Sequence, residues 1–358
     1  MIRRLYVHNF RCLENFELSL AGQSSVLLIG KNGSGKTSVG SALEILQRIA
    51  RGTNRVDDLV KPKDFARGRM DVPLRFEIEI ELEGKICTYT VALELLKADR
   101  RFRVAEEKVQ VGGDAAYTRE TGRVYQQIDL QLFALPILQQ KSPNDPIFLL
   151  RRWLARMLIL RPVPQLISGE SKGETLEPEP QVTDFGAWFS GLVSNAPSVY
   201  SEIDQYLKQV MPDLKDIKNP LVGTDARSLT VQFSNEQGSL IVPFEDLSDG
   251  EKCYTICALV LAANKEYGPV FCFWDEPDNY LALSEVGNFV MALRKAFQAG
   301  GQLVATSHNP EVIRRFSDES TLVLYRSNHL EPTRVRPLKD IQVSGDLVGA
   351  IIRDDVVP

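Results

Sequence analysis

Residues 30–37 read GKNGSGKT, a match to G-x-x-x-x-G-K-[ST]. The apolar run SSVLLIG leads into it, and Val39, Leu43, Leu46 and Ile49 follow at helical spacing. A buried strand that turns through glycines straight into a helix points to an α/β layer with ligands held outside strand carboxyl ends. Gly30, Gly33 and Gly35 permit the backbone turns that aim successive N–H groups at an anion, and the helix beginning near Lys36 adds its positive end. Lys31, Asn32, Ser34 and Ser38 complete the loop. Lys36 has the reach for the β- and γ-phosphates of a nucleotide, and the Thr37 hydroxyl suits Mg²⁺. The bland alternative, a glycine-rich turn that binds nothing, is disfavoured by the strand before and the helix after.

Further along, VFCFWDEPDNYL (270–281) drives an apolar strand into Asp275 and Glu276, with Asp278 beyond a proline. Unpaired buried carboxylates are costly, so such a cluster faces a cation, a partner charge or a water to be activated. Alone, an apolar run ending in two acids reads as a helix cap or surface feature. Set with a phosphate loop on another strand of one sheet, Asp275 is placed to hold Mg²⁺ and Glu276 to deprotonate the attacking water. LSDGEK (247–252) precedes a long apolar helix, so Ser248, Asp249, Gly250 and Glu251 stand where a helix start offers a hydroxyl and N–H groups to a phosphate. An ordinary Ser-capped helix is the competing reading. TSHNP (306–310) ends the strand QLVAT, and puts His308 at the same kind of edge, suited to the γ-phosphate or the attacking water.

Around these stretches, strand–helix alternation at both ends brackets a mixed middle. LRFEIEIELE (74–83) alternates apolar with charged and is answered by YTVALEL, an antiparallel hairpin with one wet face. RFRV and KVQV extend it, residues 144–160 read as a helix, and 168–181 as an exposed loop. We expect four segments: an N-terminal lobe at 1–72, an antiparallel β layer at 73–135, a helical insertion at 136–226 and a C-terminal lobe at 227–358. No run approaches the length of a membrane span, and the N-terminus lacks a leader pattern. The five cysteines form no CxxC pair and mostly sit in apolar patterns, which suits reduced core residues of a cytoplasmic protein. Three scattered histidines argue against a histidine-rich metal site.

The four stretches, in this order, resemble the ATPase heads of the ABC superfamily, within it the branch of RecF, SMC-type heads and, most closely, OLD-like "AAA family" ATPases. The resemblance implies an α/β ABC-type head, a P-loop NTPase with an antiparallel β layer and a helical insertion. It also implies ATP and Mg²⁺ as cofactors and a homodimer, or a higher oligomer, that sandwiches ATP. Gly30–Thr37 then match Walker A, Asp275 the Walker B aspartate and Glu276 the catalytic glutamate. Ser248–Glu251 match the signature acting in trans, Asp278 the D-loop and His308 the switch histidine. Departures are Asp249 where transporters carry Gly, and DNYL in the D-loop; Gln139 and Gln140 are the candidates for a Q-loop. OLD nucleases continue into a Toprim domain, for which the stretch after His308, ending DDVVP, has no room. The resemblance therefore implies a sensor or regulatory ATPase of DNA repair or phage defence with a separate nuclease or toxin as effector. A RecF-like DNA-binding mediator and a nucleotide-gated scaffold are the alternatives.

DNA contact has less support in the residues themselves. The net charge is −5, so any basic face is local. RIARGTNRVDDLVKPKDFARGR (48–69) and the arginines Arg151, Arg152, Arg156 and Arg161 are the candidate phosphate contacts. Solvated faces laced with ion pairs are the favoured reading of both.

Overall fold

A computed structural model describes residues 1–96, 101–120, 128–140, 142, 144–316 and 319–341. The tail DDVVP, and Lys141 and Pro143 beside the glutamine pair, lie outside the described residues. The chain forms two compact units, Met1–Met157 with Ser317–Pro358, and Leu158–Phe316.

The first unit opens with β1 (Ile2–His8) and β2 (Phe16–Ser19), then β3 (Ser25–Ile29), whose residues are all buried. The phosphate loop follows, and α1 (Lys36–Ala50) buries Val39, Leu43, Leu46 and Ile49, the stripe its sequence spacing predicts. The charged alternation becomes β4 (Leu74–Leu82), paired antiparallel with β5 (Lys85–Leu96). Leu74, Phe76, Ile78 and Ile80 are buried, while Glu77 and Glu79 face outward and bind Arg4 of β1 at 2.8 Å each. RFRV and KVQV join in one strand, β6 (Arg101–Val111), and β7 (Asp114–Glu120) closes an antiparallel sheet of order β2-β1-β4-β5-β6-β7.

Glu107, on β6, is fully buried and accepts from Tyr89 Oη (2.9 Å), Arg119 (3.0 Å) and the N–H groups of Ala134 (2.7 Å) and Leu135 (3.0 Å). Four donors on one carboxylate compensate its desolvation and latch the 134–135 segment to the sheet.

The expected helix over 144–160 divides. α2 (Pro146–Ala155), capped by Asp145, ends at Arg156, and Leu158–Leu160 form a strand, β8, that belongs to the second unit. Helical spacing runs on through LLRRWLARMLIL, but LIL pairs in parallel with a strand far along the chain, and that tertiary partner decides its conformation.

In the second unit, β9 (Glu170–Ser171), α3 (Phe185–Asn195), α4 (Ser198–Val210), β10 (Leu214–Lys218), β11 (Leu221–Val222), β12 (Ala226–Ser228), β13 (Thr230–Asn235) and β14 (Gly238–Pro243) build a mixed region with two small antiparallel sheets. The 168–181 stretch is irregular apart from β9. α5 (Asp249–Glu266) follows and is buried along most of its length. Next come β15 (Phe271–Trp274), α6 (Leu283–Ala299), β16 (Gln302–Thr306) and α7 (Pro310–Arg315). β15 lies between β8 and β16, parallel to both, and FCFW is buried on both faces, as a central parallel strand must be. The chain then returns to the first unit as β17 (Thr321–Tyr325), parallel to β3, and β18 (Arg334–Pro337), antiparallel to β17.

Candidate functional site

In the first unit, β3 delivers the chain into a loop that only glycine can build at its two ends. Gly30 has φ +148° and a Cβ there would fall 2.1 Å from the Leu324 carbonyl oxygen. Gly35 has φ +107° and lies against Thr333 Oγ1 and Cys12 Sγ. Lys36 is buried at the start of α1, and its Nζ donates to the carbonyl oxygens of Gly30 (2.7 Å) and Lys31 (3.3 Å), so the ammonium lies across the mouth of its own loop. Ser34 is 2% exposed, and its Oγ has no hydrogen-bond partner. A buried hydroxyl without a partner, glycines with positive φ and an ammonium at a helix N-terminus are what an anion of several oxygens would satisfy. The residues present therefore fit a nucleotide's phosphates. Thr37 is exposed in the first turn of α1, and Ser38 is half-buried beside Cys12.

Two residues that sequence reasoning did not single out hold this loop. Thr333, buried before β18, donates from Oγ1 to the Ser34 carbonyl oxygen (2.8 Å) and its N–H donates to the Cys12 carbonyl oxygen (2.8 Å). Arg326, just past β17, donates to the Gly33 carbonyl oxygen at 3.4 Å.

In the second unit, the register of the parallel strands assembles the acids. Trp274 pairs with Leu160 on one side and with Ala305 on the other. The next step brings Asp275 beside Thr306, whose Oγ1 donates to Asp275 Oδ1 at 2.6 Å. The Asp275 N–H donates to the Leu160 carbonyl oxygen (2.8 Å), which extends the ladder by one residue. Glu276 then leaves the strand with φ +52°, and its N–H donates to Thr306 Oγ1 (2.9 Å). His308 Nε2 lies 3.5 Å from Glu276 Oε1, and Asn279 Nδ2 donates to Glu276 Oε2. Asp278 is buried; burial pushes its carboxyl above the usual range, opposed by hydrogen bonds from Ser307 and Asn309, and its Oδ1 has no partner.

Arg161, Cys253, Trp274, Asp275, Glu276 and Tyr280 line a cleft of about 170 Å³. That is room for several waters or a hydrated ion and too little for a whole nucleotide. Burial raises the Cys253 thiol to about 12, so it stays protonated there. Arg161 follows β8 as Asp275 follows the adjacent β15, a placement the sequence reading missed because it took 144–160 as helix.

Ser248 caps α5 with a reciprocal pair of bonds, its Oγ accepting from Glu251 N–H (3.3 Å) and its N–H donating to Glu251 Oε2 (2.7 Å). Asp249 accepts from Gln165 (2.6 Å), and Gly250 approaches the Tyr280 carbonyl oxygen next to the acids. Ser248 itself is exposed at the helix start.

Several side chains of the basic stretches are engaged within the fold. Arg67 (2.7 Å) and Arg69 both bind Glu14, Arg11 binds Asp64 (3.1 Å), and Arg51 donates to the Ala155 carbonyl oxygen (2.9 Å). Arg151 donates to the Pro136 carbonyl oxygen (3.0 Å) and covers the Phe148 ring. Gln139 and Gln140 are exposed, with Gln140 donating to the Ser142 carbonyl oxygen (2.8 Å). Among the described residues, no three His, Cys, Asp or Glu side chains gather as a metal-binding group, and no helix is long and apolar enough to cross a membrane.

The fold has solved counterparts. An SMC head crystallised with the C-terminal winged-helix domain of ScpA aligns with a TM-score of 0.58 at 14% identity, covering 95% of this chain and 98% of that one. The SMC head domain with an extended coiled coil, bound to the C-terminal domain of ScpA derived from Pyrococcus furiosus, aligns with a TM-score of 0.54 at 13% identity, covering 95% and 97%. The α/β fold is thus that of SMC head domains. No curated protein matches the sequence at a significant level. One family model spans residues 25–314, from the strand before the phosphate loop to the helix after His308. The chain belongs to that family, AAA_21, described as "AAA domain, putative AbiEii toxin, Type IV TA system".

Proposed function

We propose that this protein binds and hydrolyses MgATP as an ATP-sandwich dimer, and that it serves as the sensor or regulatory subunit of a DNA-repair or phage-defence system whose effector, a nuclease or toxin, is a separate polypeptide. The observation that carries the ATPase reading is the Glu276–His308 pair, 3.5 Å apart, beside Asp275 at the ends of adjacent parallel strands. General-base hydrolysis needs a carboxylate that touches the attacking water and a neighbour that holds its orientation.

In this reading the N–H groups of the loop, Lys36 and Ser34 hold the phosphates. Thr37 and Asp275 are the residues that would hold Mg²⁺, which would supply neutralisation of phosphate charge when bound. Magnesium sites of this kind take one or two carboxylates and complete their coordination with phosphate and water oxygens. Glu276 takes the proton from the water attacking the γ-phosphate. His308 donates to that phosphate or to the water, and Asn279 keeps the Glu276 side chain from rotating away. Ser248–Glu251 serve the nucleotide of the second copy: the Ser248 Oγ accepts the Glu251 N–H and keeps its own proton to donate to a phosphate oxygen there. Asp278 belongs to the segment that meets the partner.

The SMC heads named above were crystallised with ScpA domains. We extend the idea of a protein partner to this chain, with cytoplasmic localisation and five reduced cysteines in keeping with that setting.

The test is steady-state ATP turnover of the wild type beside Lys36→Ala and Glu276→Gln, with copurification for the effector. The proposal expects turnover in the wild type and none in either variant. Turnover that survives Glu276→Gln contradicts it.

A further inference from the structure

Thr306 stands between the two acids, and we infer that it is a positioning residue for hydrolysis, a role that rests on the ATPase reading above. It is fully buried at the end of β16, in a strand otherwise filled by Gln302, Leu303, Val304 and Ala305. A hydroxyl there must be paired to be tolerated, and both of its hydrogen-bonding directions are spent on the acid pair. Its proton goes to Asp275 Oδ1 at 2.6 Å, the short separation of a charge-assisted bond, and it accepts the Glu276 N–H at 2.9 Å.

The second bond has a specific consequence. Glu276 is a non-glycine residue at φ +52°, a conformation that costs about 1 kcal/mol or more and persists only when its surroundings hold it. Thr306 supplies the acceptor that this turn requires. One hydroxyl therefore sets the rotation of the Asp275 carboxylate and the direction in which the Glu276 side chain leaves the backbone.

The neighbouring residues repeat the pattern. Ser307, also fully buried, bonds Asp278, and His308 meets Glu276. Three consecutive residues, Thr306, Ser307 and His308, thus each engage one or two of the acids Asp275, Glu276 and Asp278. Thr306 acts through these acids, on the Asp275 carboxylate and on the Glu276 backbone.

The experiment compares Thr306→Val, which keeps the shape and deletes the hydroxyl, with Thr306→Ser, which keeps the hydroxyl and deletes the methyl. Displacing a catalytic group by about 1 Å costs on the order of 100-fold. Val is therefore expected to lower kcat by roughly 10- to 100-fold with KM for ATP within about threefold, and Ser to stay within about threefold of the wild type. A Val variant within twofold of the wild type in kcat overturns the inference, as does a Ser variant no better than Val. Should Val melt below the assay temperature, Thr306→Ala carries the same expectations. Hydrogen exchange over residues 271–281 gives a readout that needs no turnover. Val should speed exchange at the Glu276 amide and Ser should not, and unchanged exchange in Val overturns the inference even if the wild type proves to hydrolyse nothing.

Discussion

Thr333 Oγ1 donates to the Ser34 carbonyl oxygen at 2.8 Å across 299 residues of sequence. It locks the crest of the phosphate loop to the segment before β18, with Gly35 packed beneath it. The loop is thus held from outside its own motif.

Removing that bond should loosen the loop without unfolding the unit. Thr333→Val is expected to weaken ATP binding about 2- to 10-fold, the worth of one hydrogen bond to a backbone carbonyl. Titration calorimetry with ATP reads it directly. Binding within the error of the wild type would show that the loop keeps its shape unaided.

Glu107 tests the structural side of the account. With both of its oxygens shared among four donors and no exposure to water, Glu107→Ala leaves the Tyr89 hydroxyl and two N–H groups without their acceptor and removes the counter-charge of buried Arg119. The expected loss is about 3–5 kcal/mol of stability, measured by urea unfolding. A loss below about 1 kcal/mol would mean that water takes over the carboxylate's role.

Asp278 makes stability depend on pH in a direction opposite to that of a salt-bridged acid. Its carboxyl is raised by burial, so the folded state binds its proton more tightly than the unfolded chain does. The native state then holds more protons, and stability falls as pH climbs from the ordinary aspartate range through the raised value. Thermal melts between about pH 4 and pH 7.5 should show Asp278→Asn gaining on the wild type as pH rises. A wild type that gains on the variant with rising pH would reverse the assignment.

Much of this was legible in the sequence because the responsible forces are local. The phosphate loop announces itself through glycine spacing, a buried strand before it and a helix after it. The hairpin Leu74–Leu96 follows from strict alternation, and Ser248-x-x-Glu251 spells out the cap that the structure forms. Other parts depend on partners far along the chain. Leu158–Leu160 continues a helical spacing and becomes a strand only because β15 offers it a parallel ladder. β7, with Asp114, Ala115 and Ala116 at its start, has too little apolar alternation to be noticed. Thr306 and Thr333 look like any buried threonine until strand register sets one beside Asp275 and chain return sets the other on Ser34.

Ser248 separates a helix cap from a trans-acting residue. Its side chain is exposed, and the bond to the Glu251 N–H is worth about 1 kcal/mol to α5. Ser248→Ala should cost about that much stability, whereas Ser248→Arg should leave ATP binding by the monomer intact and abolish turnover. Full turnover in the arginine variant would leave the serine a cap and nothing more.

The central claim is that two copies close on ATP and that Glu276 then discharges it. Light scattering of Glu276→Gln at saturating MgATP measures this most directly. The account predicts a stable dimer that reverts to monomer when ATP is withdrawn or when Lys36→Ala is added. A variant that stays monomeric with ATP bound would contradict it.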